Sequence, residues 1–144
     1  MTFTKPLMIT ALFFTLTGSA FAKEDSRTPI VLTEDERNLV LEEMRTFLDT
    51  VRSITVSMSE EDAAKIAKSA KKVGVAASGE VPPALTAKLP QQFKMLAMQV
   101  HKGFDQIALD ATEMGDKQQT LEQLGMLMGN CVACHAIYRL PEPK

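Results

Sequence analysis

Apolar side chains recur at steps of three and four residues in four separate stretches of the chain, and this spacing is typical of amphipathic α-helices. No stretch shows the strict alternation of apolar and polar residues that predicts a strand. The chain is therefore predicted to be all-α. The four sets of apolar-face positions are Leu41, Met44, Leu48, Val51 and Met58; Ala63, Ile66, Ala70, Val73 and Ala77; Phe93, Leu96, Val100, Phe104, Ile107 and Ala111; and Leu121, Leu124, Met128, Cys131, His135 and Tyr138.

Capping signals mark where the helices begin. Thr33 and Glu36 form a capping box, in which the hydroxyl and the carboxylate satisfy backbone N–H groups at the start of the first helix. Ser59 is predicted to cap the second helix, with Asp62 at its third position. Asp116 is predicted to cap the fourth helix.

The segment between the second and third helices is too rich in proline to be helical throughout. Ser78 and Gly79 end the second helix, and residues 81–90 (VPPALTAKLP) contain two adjacent prolines, which remove backbone donors and restrict the residues before them. Pro90 suits the first position of the third helix. The most economical arrangement is an antiparallel four-helix bundle with one longer crossing loop.

The first 22 residues have the features of a secretory signal peptide. Lys5 supplies a positive charge, residues 7–16 (LMITALFFTL) form a short apolar run, and residues 18–22 (GSAFA) end in the small-residue pattern that signal peptidase recognises. We expect cleavage before Lys23, which leaves residues 23–144 as one domain in the periplasm. The apolar run is shorter than the roughly 20 residues that span a bilayer, and a retained N-terminal anchor is the alternative interpretation.

Charge and aromatic content narrow the function classes. Loss of residues 1–22 removes one Lys and no acid, so the formal charge of −2 becomes about −3, which disfavours nucleic acid as a partner. Acidic and basic residues are interpreted as interspersed on a solvated surface. Only four aromatic residues follow the signal, so the core is thin and we expect another group to help fill it. They are Phe47, Phe93, Phe104 and Tyr138.

The chain's only two cysteines lie within residues 131–135 (CVACH), late in the fourth helix. C-x-x-C-H is the attachment signature of c-type haem. Two thiols one helical turn apart can reach the two vinyl groups on one edge of the porphyrin, and the next residue places its imidazole under the iron. The helical spacing predicts that Cys131 and His135 face the core and that Cys134 lies at the edge of the same face. The motif therefore predicts one covalent haem c near the C-terminus of the fourth helix.

Four other interpretations of CVACH stay open. A redox-active dithiol uses the same C-x-x-C spacing, but such motifs normally open a helix next to a strand. Zinc needs about four ligands, and the chain offers Cys131, Cys134, His135 and the distant His101. Helical geometry disfavours a structural disulfide, and the short signature also occurs by chance.

Four helices after a signal peptide, with CVACHAIYR (residues 131–139) in the fourth, resemble the cytochrome c prime family and its low-spin relatives, the class II cytochromes c. The resemblance covers the mature chain in architecture, and only the haem-site motif is specific. It implies that Cys131 and Cys134 form thioethers with the haem and that His135 is the proximal iron ligand. It also implies that Arg139 lies near the haem propionates, whereas a cation that stabilises the helix C-terminus is the equal alternative.

In this family the sixth coordination position of the iron faces the first helix. A sulfur ligand there gives a low-spin electron carrier, and a non-coordinating side chain leaves a five-coordinate iron that binds small gases. Met44 is the candidate distal ligand because it lies midway along the first apolar face, and core filling is the alternative role. His101 is expected to be half-exposed and hydrogen-bonded rather than a ligand. The neighbouring Glu42, Glu43 and Arg45 are expected to form a solvated surface.

The expected function is one-electron transfer with redox partner proteins, through iron ligated by His135 and Met44. The alternative is a five-coordinate protein that binds nitric oxide or carbon monoxide, and a third hypothesis is a haem-free helical interaction module. No acid–base pair or nucleophile constellation is evident, so an enzyme is not expected. A homodimer through the small-residue face of the second helix and a monomer are equally consistent with the sequence. A structure without haem is expected to show a cavity between the first and fourth helices.

Overall fold

The structure is a computed structural model that describes residues 24–143 of the 144-residue chain. The described chain is mostly helical, which confirms the all-α prediction. The signal peptide predicted for residues 1–22 lies outside the described residues. Within residues 24–143, no helix is both long and apolar enough to cross a membrane. The elements, in chain order, are β1 (Thr28–Pro29), α1 (Glu34–Ser59), α2 (Ala63–Lys71), α3 (Val75–Ser78), α4 (Pro83–Lys88), α5 (Gln91–Glu113), α6 (Lys117–Ile137) and β2 (Tyr138–Arg139).

Two of the three predicted helix caps are confirmed. At the start of α1, the Thr33 N–H donates to Glu36 Oε2 (2.9 Å) and the Glu36 N–H donates to Thr33 Oγ1 (3.4 Å), which completes the capping box. Asp116 caps α6 by accepting from two backbone N–H groups. The prediction of Ser59 as a cap is wrong, because α1 continues through Ser59 and Asp62 caps α2 instead.

The second predicted helix is broken near its middle. The helical spacing predicts continuity to Ala77, but α2 ends at Lys71 and α3 begins at Val75. The Val75 N–H donates to Asp105 Oδ2 of α5 (2.9 Å) rather than to a carbonyl of its own helix. A Cβ at Gly74 would collide with the Asp105 carboxylate, so the break depends on glycine and on a tertiary contact.

The proline-rich connection is partly helical, as its sequence allows. Residues 81–90 contain the short α4, which has a proline in its first turn, where the missing N–H costs no hydrogen bond. Pro90 is the N-cap of α5 rather than its first helical residue. Leu85 is the buried residue of α4 and anchors the connection to the core.

The helices pack in the order α1, α2, α5, α6. In the described chain α2 packs closely along α5, α5 along α6, and α1 along α2, whereas α1 and α6 are not among the closely packed pairs. The buried apolar residues form two clusters. The central cluster contains Phe47, Ile54, Ile66, Ala70, Val73, Val100, Phe104, Ile107, Ala108, Ala111, Leu124 and Leu127. The terminal cluster contains Ile30, Leu32, Val40, Leu85, Phe93 and Tyr138.

The predicted apolar faces are confirmed for α5 but rotated in α1 and α6. Leu48 of α1 is 71% exposed and Leu121 of α6 is 52% exposed, although both were expected in the core. The apolar positions of α1 cover more than one side of the helix, and packing selects which side is buried. Ser57 can be buried at low cost because its hydroxyl donates to the Ser53 carbonyl oxygen (2.9 Å). The buried residues of α1 are Val40, Phe47, Thr50, Ile54 and Ser57.

A short parallel pairing joins the two ends of the described chain. Thr28 is opposite Tyr138 and Pro29 is opposite Arg139 in the β1–β2 ladder, and the Ile30 N–H extends it by donating to the Arg139 carbonyl oxygen (2.9 Å). No strand was predicted here. The pairing holds the N-terminal segment against the end of α6, beside the cysteine motif.

Candidate functional site

The two cysteines lie in the last turns of α6, three residues apart and therefore on neighbouring positions of the helix surface. Both are free thiols of intermediate burial. Cys131 packs against the central cluster and Cys134 packs against the terminal cluster. The motif therefore spans the junction between the two clusters.

The surroundings keep both thiols protonated. Burial raises the pKa of Cys131 and of Cys134, and the neighbouring Cys131 raises the pKa of Cys134 further. A redox-active dithiol needs the opposite, such as a helix N-terminus or a cation that lowers a thiol pKa. These thiols lie close to the C-terminus of α6, so their environment disfavours thiol exchange.

His135 does not face the core, contrary to the prediction. Its side chain is exposed, on the same edge of α6 as the exposed Met128 and Leu121, which precede it by whole heptads. The opposite side of α6 packs on α5, where Leu127 covers Gly103 so closely that a Cβ there would lie 3.0 Å from Leu127 Cδ1. This close approach turns the histidine edge of α6 away from α5.

Met44 is the residue of α1 that connects both clusters. It is partly buried and packs against the central cluster and against the terminal cluster. Cys131 borders the first of these clusters and Cys134 borders the second. The structure therefore brings Met44 and the two cysteines to the same cluster junction from different helices.

Apolar side chains remain uncovered on the edges of α1 and α6 next to this junction. Leu48 lies one turn beyond Met44 and is strongly exposed, and Val132, between the two cysteines, is 70% exposed. α1 uses its other side to pack on α2, and α6 uses its other side to pack on α5. Exposed apolar surface of this kind is typical of a binding site.

His101 is buried, which corrects the expectation of a half-exposed side chain, and it is hydrogen-bonded as expected. It is 3% exposed, its Nδ1 is 2.8 Å from the Val73 carbonyl oxygen, and its Nε2 is 3.4 Å from Glu43 Oε1. The Phe47 ring packs edge-on against the imidazole at 5.2 Å between centroids. Both ring nitrogens therefore have protein partners. The expectation that Glu43 is fully solvated is wrong for the same reason.

The protonation of His101 is set by competing effects. Burial disfavours the charged imidazolium, but the hydrogen bond to Glu43 and the one to the Val73 carbonyl outweigh burial, so the pKa of His101 is raised. The protonated ring can donate to both acceptors at once. His101 is thus a structural link between α5, α1 and the end of α2.

Arg139 lies in β2, after α6 has ended at Ile137. Its Nε donates to the Arg27 carbonyl oxygen (3.3 Å) and lies 3.8 Å from Asp25 Oδ2. Arg27 Nη1 in turn donates to the backbone oxygen of His135 (3.3 Å). Arg27 also holds the pKa of Asp25 at about 2 through their hydrogen bonds.

The sequence gave no sign of this contact between the N-terminal segment and the cysteine motif. Arg27 and His135 are 108 residues apart, and neither belongs to a local pattern that predicts their pairing. An excess of charged residues just before the first helix was the only available signal. The contact matters because it fixes the backbone of the residue that follows the C-x-x-C pair.

Two cavities are present in the described part of the chain, and neither is lined by α6. One of about 810 Å³ lies between α2 and α5, and the other, of about 510 Å³, lies between α1, the connection and α5. Neither matches the expected cavity between the first and fourth helices, which is instead an open apolar edge. Among residues 24–143, no group of three or more His, Cys, Asp and Glu side chains is arranged to hold a metal ion.

Three comparisons with known proteins gave no match: no protein-family model, no curated protein and no solved structure is similar to this chain at a significant level.

Proposed function

We propose that the protein is a periplasmic monohaem c-type cytochrome that transfers single electrons, similar to the class II cytochromes c of the cytochrome c prime family. The observation that carries the proposal is the C-x-x-C-H motif of α6 at a junction of two apolar clusters that Met44 of α1 also borders. When bound, a haem c supplies a one-electron iron couple. The chain supplies attachment, ligands and an environment of low polarity.

The donor set fits one covalent haem. Cys131 and Cys134 are free thiols one turn apart, as attachment to two vinyl groups requires. His135 follows directly, and its imidazole is exposed rather than committed to a protein partner in the described chain. Met44 offers a thioether from the opposite helix. The uncovered apolar side chains, of which Leu48 and Val132 are the most exposed, suit the faces of a porphyrin.

The architecture that we propose for this function is an antiparallel four-helix bundle. α1, the α2–α3 unit, α5 and α6 are its helices, and residues 79–90 with α4 form the long connection. The packing order of α1, α2, α5 and α6 supports this arrangement. In such a bundle α1 and α6 are neighbours, which places Met44 and His135 on the two sides of one groove.

Each residue has a separate task in this proposal. His135 and Met44 are the axial ligands, and a His/Met pair raises the reduction potential relative to two histidines. The terminal cluster excludes water from the attachment edge. The contact of Arg27 with the His135 carbonyl oxygen, together with the β1–β2 pairing, fixes the end of α6. Arg139 is the candidate cation for the haem propionates, and its Nε is 35% exposed as a side chain beside Asp25.

The first test is an absorption spectrum of the protein expressed with haem-attachment machinery, oxidised and reduced, before and after addition of carbon monoxide. We expect covalent haem with a low-spin spectrum that the gas barely changes. The Met44→Ala variant is expected to become high-spin and to bind the gas. Met58→Ala, another partly buried methionine of α1, is the matched control and is expected to keep the low-spin spectrum.

The other outcomes identify the competing functions. A high-spin wild-type spectrum that shifts at once with carbon monoxide would reject Met44 ligation and assign the protein to the gas-binding alternative. Absence of covalent haem, with a Cys131→Ala/Cys134→Ala variant that folds like the wild type, would leave a haem-free interaction module. The partly buried position of Met44 is compatible with both ligand and steric roles, so the spectrum decides between them.

A further inference from the structure

Positive charge is concentrated in the middle of the chain. Residues 63–102 contain seven Lys and a single acid, Glu80, whereas residues 24–62 contain eleven acids and no Lys. The expectation that charges are interspersed is therefore wrong. This basic segment forms α2, α3, the connection and the first half of α5.

The lysines of α2 lie opposite its buried side. Ile66 and Ala70 point into the central cluster, and the lysines follow at steps of three and four residues on the other side of the helix. Three of them line the groove of about 810 Å³ between α2 and α5. These three are Lys68, Lys71 and Lys72.

The basic surface continues onto α5. Lys72 also lines the cleft of about 510 Å³, which has Lys94 of α5 on its wall. Lys102 is exposed and lies one turn before Asp105, which lines the groove. The two cavities thus share one lysine and are bordered by two more.

Five ammonium groups on this surface are without a carboxylate partner among the described residues. Lys65, by contrast, pairs with Glu60 (3.0 Å) and Asp62 (3.1 Å). Asp105, the carboxylate in the groove, has one oxygen occupied by the Val75 N–H. We call the five unpaired residues the lysine face: Lys68, Lys71, Lys72, Lys94 and Lys102.

We propose that the lysine face docks the protein on an anionic lipid surface. Clusters of about four to eight basic residues on a helical surface are typical of proteins that bind acidic headgroups. The groove between α2 and α5 gives a phosphate headgroup access to Lys68, Lys71 and Lys72 at once. Leu109 borders the groove and is 49% exposed, so it contacts the lipid beside the headgroups.

Position in the fold favours lipid over an acidic redox protein, a step that rests on the proposed function. In the packing order α1, α2, α5, α6, the lysine face lies on α2 and α5, across the molecule from the edge between α1 and α6. A redox protein bound there would lie roughly 10–20 Å, one to two helix diameters, from the proposed haem. A lipid surface there leaves the haem side free to meet a partner.

The test is co-sedimentation of the holoprotein with vesicles of equal parts phosphatidylglycerol and phosphatidylcholine, and with phosphatidylcholine vesicles. We expect binding to the anionic vesicles only, lost at high salt. Because each lysine at such a surface contributes about fivefold, the Lys68→Gln/Lys71→Gln/Lys72→Gln variant should bind about one hundredfold more weakly. Helical circular dichroism of the variant checks that these exposed substitutions leave the fold intact.

A control variant removes the same charge from other helices. Arg45→Gln/Arg52→Gln/Lys117→Gln changes exposed, ion-paired side chains of α1 and α6. This control should lower vesicle binding much less than the lysine-face variant. Equal losses in the two variants, or no binding to anionic vesicles, would overturn the proposal.

Two further readings separate the lysine face from its alternatives. Lysine-dependent binding to poly-L-glutamate without binding to vesicles would assign the face to an acidic protein partner and reject the lipid surface. The haem spectrum is recorded on the same samples. Missing vesicle binding with intact haem contradicts the lipid proposal alone, whereas missing haem contradicts the proposed function alone.

Discussion

His101 connects three parts of the molecule through one side chain. Its imidazole reaches the Val73 carbonyl oxygen after α2 and the Glu43 carboxylate of α1, while its own backbone belongs to α5. A buried polar group is stabilising only when its hydrogen-bonding groups have partners, and here both ring nitrogens do. The pairing also places Glu43 on the opposite side of α1 from the exposed Leu48.

The Glu43–His101 pair predicts a pH-dependent contribution to stability. Since the pKa of His101 is raised above its usual 6.5 in the folded protein, the folded state binds the proton more tightly than the unfolded state. The stabilisation is therefore fully present below the usual value and is lost as the pH rises through the raised one. Glu43→Gln should lower the free energy of unfolding by about 1 kcal/mol at about pH 5.5 and by much less at about pH 9.

Urea unfolding of the wild type and the variant at both pH values checks this prediction. Glu42→Gln is the matched control, because Glu42 is exposed and pairs only with Arg45 among the described residues. Its effect should be small and the same at both pH values. An equal effect of Glu43→Gln at both pH values would show that the pair does not stabilise protonated His101.

At the level of secondary structure, the start of α1 is held by both local and distant contacts. Glu36 completes the capping box with Thr33, and it also accepts from Lys88 at the end of α4 (2.7 Å). The hydrogen bond from Lys88 and the one from the Thr33 N–H keep the pKa of Glu36 low. The same carboxylate therefore begins a helix and attaches the proline-rich connection to it.

Loss of the cap should destabilise the protein. Thr33→Ala removes the acceptor for the Glu36 N–H and should lower the free energy of unfolding by about 1 kcal/mol. Thermal and urea unfolding followed by helical circular dichroism measure the loss. Thr46→Ala is the control, since the Thr46 hydroxyl donates only to the Glu42 carbonyl oxygen within α1 and alanine is the better helix former. A loss as large in Thr46→Ala would contradict the role of the capping box.

At the scale of the whole molecule, the N-terminal segment belongs to the core. Ile30 and Leu32 are buried in the terminal cluster with Phe93 and Tyr138, whose rings pack edge to face at 5.8 Å. The β1–β2 pairing holds these residues against the end of α6. The environment of the cysteine motif thus depends on residues that lie before the first helix.

Truncation of one buried side chain in this segment should destabilise the protein far more than truncation of its exposed neighbour. Ile30→Ala is expected to cost about 2–4 kcal/mol, because it leaves a cavity in the terminal cluster. Val31→Ala, at a position that is 77% exposed, should cost much less. Urea unfolding of both variants measures the difference. Equal effects would show that the N-terminal segment is not packed as described.

The sequence by itself determined the helical class, two of the helix starts and the spacing of the cysteines. These features depend on contacts within one or two turns: Thr33 caps α1 through a residue three positions later, and Asp116 caps α6 in the same way. The same local geometry places Cys131 and Cys134 one turn apart. Short-range periodicity is sufficient to predict such features.

Tertiary structure alone decided which side of each helix is buried and which distant residues meet. The spacing in α1 is compatible with burial of Leu48 or of Phe47, and stacking of Phe47 on Phe104 (5.8 Å) buries the second of these. The break at Gly74 depends on Asp105, and the exposure of His135 depends on the close packing of α5 on α6. The physical reason is that burial free energy depends on the surface a partner element offers, and residues far apart in sequence supply that surface.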